Sequence, residues 1–88
     1  MDEAVIIETV NTVFRDSFEI EDDALVSDAK IFDDLGLDSL DVVDLVVALQ
    51  QAFNVSIRDD ERVRSIRTLG DVYAFIVSLQ AEGIAPDA

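Results

Sequence analysis

The stretch DDLGLDSLDVVDL, Asp33 to Leu45, sets five aspartates and one serine among leucines and valines, with no basic residue. Asp38 suits an N-cap and Asp41 stands three residues on, in the capping-box position, so a helix is expected to begin at Ser39. At about 100° per residue, Val42, Leu45, Val46, Leu49, Ala52 and Phe53 fall on one side, which is its expected core face. The helix runs to about Phe53, where Asn54 can close it in the left-handed conformation. The other side carries Leu40, Val43 and Val47, interleaved with Asp44 and Gln51 and flanked by Asp41 and Gln50. A chain of 88 residues cannot bury both faces. Each of these three residues taken singly is an ordinary surface residue. Together, at i, i+3 and i+7 beside Ser39 and ringed by acids, they form an expected docking stripe for a partner groove.

Working outward, Val5, Ile6, Val10, Val13 and Phe14 trace one face of a first helix that ends near Asp16 to Phe18. Residues 19–37 read as a long packed loop anchored by Leu25, Val26, Ile31, Phe32 and Leu35, with one helical turn around Ile31 to Leu35 and Gly36 as a backbone release. A loop of that length in so small a chain is a functional flag. After Asn54, Val55-Ser56-Ile57 reads as an extended connection, and residues 59–65 (DDERVRS) suit a short third helix. Thr68 and Asp71 repeat the capping signature. Leu69, Val72, Tyr73, Ile76 and Leu79 then follow helical spacing to a stop at Gly83. The expected fold is all-α, a small four-helix bundle of three longer helices and one short third helix, with a long loop between the first and second. Residues 1–88 form one domain, and 84–88 are read as a frayed tail.

Half of the residues are hydrophobic, so a net charge of −14 does not imply disorder. It does exclude nucleic acid and anionic membranes as partners and favours partners with basic patches. The acidic N-terminus is unlike a signal peptide and no apolar run reaches membrane-spanning length, so a cytoplasmic protein is the default expectation. With no histidine and no cysteine, Ser39 has no base to make it a nucleophile, and GLDSL lacks the second glycine of a nucleophile elbow. The aspartates do not follow calcium-loop spacing, so no metal site is expected. Two readings of Ser39 remain: an unremarkable first residue of a helix, or a serine that other enzymes modify. For the second, a hydroxyl at a helix N-terminus suits a covalently attached anionic group.

DLGLDSLDVVDLVVALQQAF resembles the prosthetic-group site of acyl carrier proteins: an acidic residue, Leu-Gly, any residue, Asp-Ser-Leu, then a helix alternating acids with aliphatics. The core of the match is Leu35-Gly36-Leu37-Asp38-Ser39-Leu40, and the order of helices resembles that family over nearly the whole chain. The resemblance implies that a phosphopantetheinyl transferase moves 4′-phosphopantetheine from coenzyme A onto Ser39. The arm's thiol would then carry acyl groups as thioesters. It also implies a monomeric carrier, not an enzyme, that meets acyl-loading and acyl-transfer enzymes of fatty acid, polyketide or specialised lipid pathways. Asp38, Leu40, Asp41, Val43, Asp44 and Val47 are the expected docking residues.

Two features depart from the carriers of bacterial fatty acid synthesis. Gln50 and Gln51 stand where those are glutamate-rich, and Arg58, Arg62, Arg64 and Arg67, four of the six basic residues, crowd the third-helix region. Paired with Asp59, Asp60 and Glu61 they would weigh little energetically. Alternatively they alter partner choice and mark a dedicated carrier of a specialised pathway. An aminoacyl or D-alanyl carrier of the same fold and an acidic helical adaptor without a prosthetic group are the alternatives.

Overall fold

The computed structural model describes residues 2–55, 57 and 61–81. They form three α-helices, α1 (Glu3–Phe18), α2 (Ser39–Phe53) and α3 (Leu69–Ala81), with 3-10 turns at Asp22–Ala24 and Glu61–Ser65 and no strand. Ser56, Arg58 to Asp60, the expected stop at Gly83 and the expected tail 84–88 lie outside the described residues. The buried side chains of all three helices and of the long connection join in a single core cluster.

In α1 the buried stripe is Ile6, Val10, Val13 and Phe14. Val5, expected on that stripe, is 48% exposed. It lies about 100° from Ile6, turned away from Val10 and Phe14. The helix ends at Glu19, whose φ of 57° is left-handed and whose N–H donates to the Arg15 carbonyl. The Arg15 guanidinium donates to Glu8 and to Asp22, each at 2.8 Å, and so ties the end of α1 to the first 3-10 turn. These two carboxylates raise its pKa further above the usual range.

The connection between α1 and α2 is folded onto the core rather than looped out. Of the expected anchors, Ile31 and Leu35 are buried and Leu25 is half-buried, but Val26 and Phe32 are exposed; Ala29 and Leu37 are buried as well. Besides the expected turn near Ile31, the structure adds the 3-10 turn at Asp22–Ala24. The connection also satisfies donors at the start of α3: Leu69 N–H donates to Ala29 O at 2.9 Å and Gly70 N–H to Ser27 O at 2.7 Å. Ile31 N–H donates to Arg67 O, and Lys30 and Thr68 form an isolated antiparallel bridge. The Leu69 and Gly70 N–H groups would otherwise be orphans of a helix N-terminus. The approach is so close that a Cβ on Gly70 would stand 2.9 Å from Ser27 O. Alanine ordinarily stabilises a helix relative to glycine, but Gly70→Ala should destabilise this protein by about 1–2 kcal/mol, seen as a lower urea midpoint. A gain in stability would show that the connection yields without cost.

The expected short third helix is a 3-10 turn, Glu61–Ser65, among the described residues. So short a segment forms too few α-helical hydrogen bonds to offset nucleation, whereas 3-10 bonds suit short pieces. Val63 and Ile66 pin it to the core. The capping box of α3 is present: Asp71 N–H donates to Thr68 Oγ1, and Thr68 N–H donates to the Asp71 carboxylate. In α3, Phe75 is buried along with the expected Leu69, Val72, Tyr73, Ile76 and Leu79. The Tyr73 hydroxyl donates to Asn11 Oδ1, which fastens α3 to α1.

The Asp71 carboxylate also accepts Arg67 N–H, and these two backbone donors, Arg67 first and then Thr68, hold its pKa below the usual carboxylate value. Folding therefore favours the ionised form. Its stabilisation is complete above about pH 4, the ordinary aspartate value, and is lost as pH falls through the lowered folded value. Denaturation curves should show wild type more stable than Asp71→Asn at neutral pH, with the gap closing in strong acid. A gap independent of pH would mean that the charge plays no part.

Candidate functional site

The expected start of α2 is realised bond by bond. Leu40 N–H and Asp41 N–H both donate to Asp38 Oδ1 at 3.0 Å, and Asp38 N–H donates to Asp41 Oδ2 at 3.1 Å. Aspartate, shorter than glutamate, still completes the capping box. Just upstream, Gly36 has φ +73°, a left-handed conformation that costs other residues about 1 kcal/mol. That bend lets Leu35 and Leu37 both reach the core and brings the chain into the Asp38 cap. Ser39 is thereby placed at the first helical position, exposed, with capping already done by Asp38. Among the described residues its hydroxyl makes no hydrogen bond.

The two faces of α2 separate largely as expected. Leu45, Leu49 and Phe53 are buried, and Val42 and Val46 are half-buried. Leu40 is 77% exposed, Val43 61% and Val47 46%. Asp38 and Asp44 are exposed and Asp41 is half-buried, so the docking residues expected from the sequence lie along one side and one end of α2. Ala52 departs from expectation and is exposed. It sits at the edge of the stripe over a groove with Thr9, Thr12 and Asp16 of α1, where its methyl group is too short to close the gap. Asn54 closes α2 in the left-handed conformation, φ 54°, as expected.

A cavity of about 220 Å³ opens beside Ser39. Val42, Leu45, Val46 and Leu49 of α2 form one wall, Ile31 and Phe32 of the connection another, and Val63, Ile66, Val72 and Phe75 close it. Arg64 and Arg67 also line it. The spacing of α2 placed Val42 and Val46 on the core face but could not show that the core is incompletely filled beside them. Cavities arise where segments distant in sequence meet. Phe32, expected as an anchor of the packed connection, is exposed and instead lines this wall.

A group attached through a phosphate to Ser39 Oγ would find an unbonded hydroxyl, the positive end of a 15-residue helix and an apolar recess alongside. The residues fit such a group. A family model described as the phosphopantetheine attachment site matches residues 8–76, a span that includes all of this geometry. The chain belongs to the acyl carrier protein family. It is 36% identical over 80 residues to an acyl carrier protein of Akkermansia muciniphila, covering 91% of this chain and 99% of that one. It is 37% identical over 81 residues to acyl carrier protein 2 of Ralstonia nicotianae, with 92% and 99% coverage. Among solved structures, a protein from Mycobacterium tuberculosis described as an acyl carrier protein superposes with a TM-score of 0.74. That pair shares 26% identity and covers 83% of this chain and 96% of that one.

As an acyl carrier protein the chain takes 4′-phosphopantetheine as its prosthetic group. Family members are carriers on which phosphopantetheinyl transferases and acyl-handling enzymes act. No helix of the described residues is long and apolar enough to cross a membrane. No cluster of three or more potential metal ligands occurs among them either. The two departures from the carriers of fatty acid synthesis now differ in weight. Gln50 accepts Ile57 N–H at 2.8 Å through Oε1 and so has a structural task, holding the connection after α2 against its own helix. Gln51 is exposed. Arg62 lies over the Phe75 ring, 5.3 Å from its centroid. Arg58 lies outside the described residues.

Proposed function

We propose that Ser39 is the attachment residue and that the protein carries aliphatic acyl groups, delivering them to enzymes of a fatty acid, polyketide or specialised lipid pathway. The observation that carries this reading is the unbonded, exposed Ser39 hydroxyl at the mouth of an apolar cavity, with the capping work done by Asp38. In modification Ser39 Oγ attacks the pantetheine-side phosphorus of coenzyme A's diphosphate and gives up its proton to the transferase, because this chain has no histidine to take it. The phosphodiester to Ser39 forms as the diphosphate P–O bond breaks and adenosine 3′,5′-bisphosphate leaves. When bound, the arm supplies a thiol that holds acyl groups as thioesters. The chain supplies tether, address and shelter. An apolar recess favours an aliphatic cargo over an aminoacyl or D-alanyl one, whose charged ammonium would lose its hydration there. The test is intact mass after incubation with coenzyme A and a phosphopantetheinyl transferase. One arm should add per chain, and no adduct with several transferases would leave the acidic adaptor as the better reading.

Docking on this proposal uses Asp38, Leu40, Asp41, Val43, Asp44 and Val47. Acids in the first turns of α2 stabilise the helix dipole and also face basic patches on partners. Charge steering acts over a Debye length of about 8 Å at physiological salt. Asp44→Lys should therefore slow modification of Ser39 strongly at low ionic strength, with the deficit shrinking as salt rises. Second-order rate constants across a salt series check this; equal impairment at every salt would replace steering by a single specific contact. The same reading makes the protein a cytoplasmic monomer in which 1–88 form one domain. Gln51 and the arginines around the second 3-10 turn support a dedicated carrier of a specialised pathway.

A further inference from the structure

Arg64 and Arg67 are exposed yet line the apolar cavity, so each keeps a hydrated guanidinium at its border. Of the arginines in this chain, Arg15 is paired with Glu8 and Asp22. The Arg64 guanidinium meets no carboxylate among the described residues. Arg67 donates to neutral carbonyls, Arg64 O at 2.7 Å and Ile66 O at 3.1 Å, and its charge acts on nearby Asp71. Both line the cavity that Ser39 also lines. They come from the 3-10 turn and the start of α3, whereas Ser39 comes from the start of α2, so the recess has an attachment point and a cationic rim on different elements. In a chain of net charge −14, solubility does not call for cations there.

We propose that the cavity is adapted to acyl groups bearing a carboxylate at the end remote from the thioester, with Arg64 and Arg67 receiving that carboxylate at the rim. This rests on the reading of Ser39 as the attachment residue and of the cavity as shelter for an aliphatic chain. Methylenes gain by leaving water for the apolar walls. A terminal carboxylate cannot follow them unpaired, but a guanidinium takes it through two parallel hydrogen bonds. A chain ending in a methyl group makes no such contact. A second anion of the same chemistry is the phosphate of the arm itself, and the experiment separates the two.

Holo protein bearing the bare arm, a hexanoyl thioester or an adipoyl thioester of equal carbon count is compared by nitrogen-15 spectra and by the rate of thioester cleavage with hydroxylamine. Both chains should shift the Val63, Ile66 and Val72 amide resonances relative to the bare arm, and adipoyl alone should shift the arginine Nε–H signals. At low salt the adipoyl thioester should be cleaved about threefold more slowly than the hexanoyl one. That ratio should fall toward one at high salt and in Arg64→Gln/Arg67→Gln. Arg64→Gln alone, which removes no side-chain bond among the described residues, carries the comparison should the double variant fail to fold. Hexanoyl shifts without any adipoyl advantage, or an advantage that survives in the variants, overturn the inference and leave the cavity reading intact. Arginine signals that already move with the bare arm assign the charge to the phosphate and overturn it also. Amide resonances unmoved by either chain overturn the cavity reading together with the inference.

Discussion

Ser39→Ala should abolish attachment of the prosthetic group completely while leaving the protein as stable as wild type. The substitution removes one oxygen atom that makes no hydrogen bond among the described residues. The N-terminal donors it might have served, Leu40 N–H and Asp41 N–H, are already held by Asp38 Oδ1. Alanine is also a better helix former than serine by a few tenths of a kcal/mol, so the helical circular dichroism and the urea midpoint should stay level or rise slightly. Loss of the mass adduct in a fully folded variant therefore isolates chemistry from folding. Asp38→Ala is the contrasting variant: it keeps the hydroxyl but removes the cap, at about 1 kcal/mol. An adduct that persists in Ser39→Ala would place the attachment elsewhere and refute the proposed site.

The second large effect separates the two faces of α2. Leu49 is 2% exposed and borders the cavity, so Leu49→Ala should cost roughly 2–5 kcal/mol, the range of buried leucine truncations, and enlarge a void that is already there. Val47, on the other face, has nearly half its surface in water. Val47→Ala gives up little burial and gains roughly half a kcal/mol of helix propensity, so its midpoint should barely move. Its effect should appear in the rates of arm attachment and acyl transfer. Urea denaturation and rates measured on the same two variants decide the matter. Comparable unfolding by both would mean that Val47 belongs to the core and that the docking stripe is misassigned.

Those variants also mark where local information stops. The start of α2, its Asp38–Asp41 box, its Asn54 stop, the Thr68–Asp71 box and the exposure of Leu40, Val43 and Val47 follow from spacing and residue type, because a helix carries its own geometry. Ala52 departs from its expected face because angular position says which side a residue is on, not whether a neighbour reaches it, whereas Val5 is exposed because its own angle turns it away from Val10 and Phe14. The 3-10 turn in place of a short third helix reflects a balance between nucleation and bonding that residue type alone decides poorly.

The sequence by itself determined three helices, a serine at the start of the second, the absence of any histidine or cysteine to make that serine a nucleophile, and a strongly acidic composition. Each of these depends on residues within a few turns of one another or on composition. Tertiary structure decided that residues 27–31 complete the hydrogen bonds at the start of α3, that Gly70 must lack a side chain, and that Gln50 serves Ile57. It also decided that Ser39, Phe32, Arg64 and Arg67 share the lining of one apolar cavity. These depend on segments separated by tens of residues approaching within hydrogen-bonding or packing distance. Such an approach is set by how all the helices fill a common core, and no local pattern encodes it.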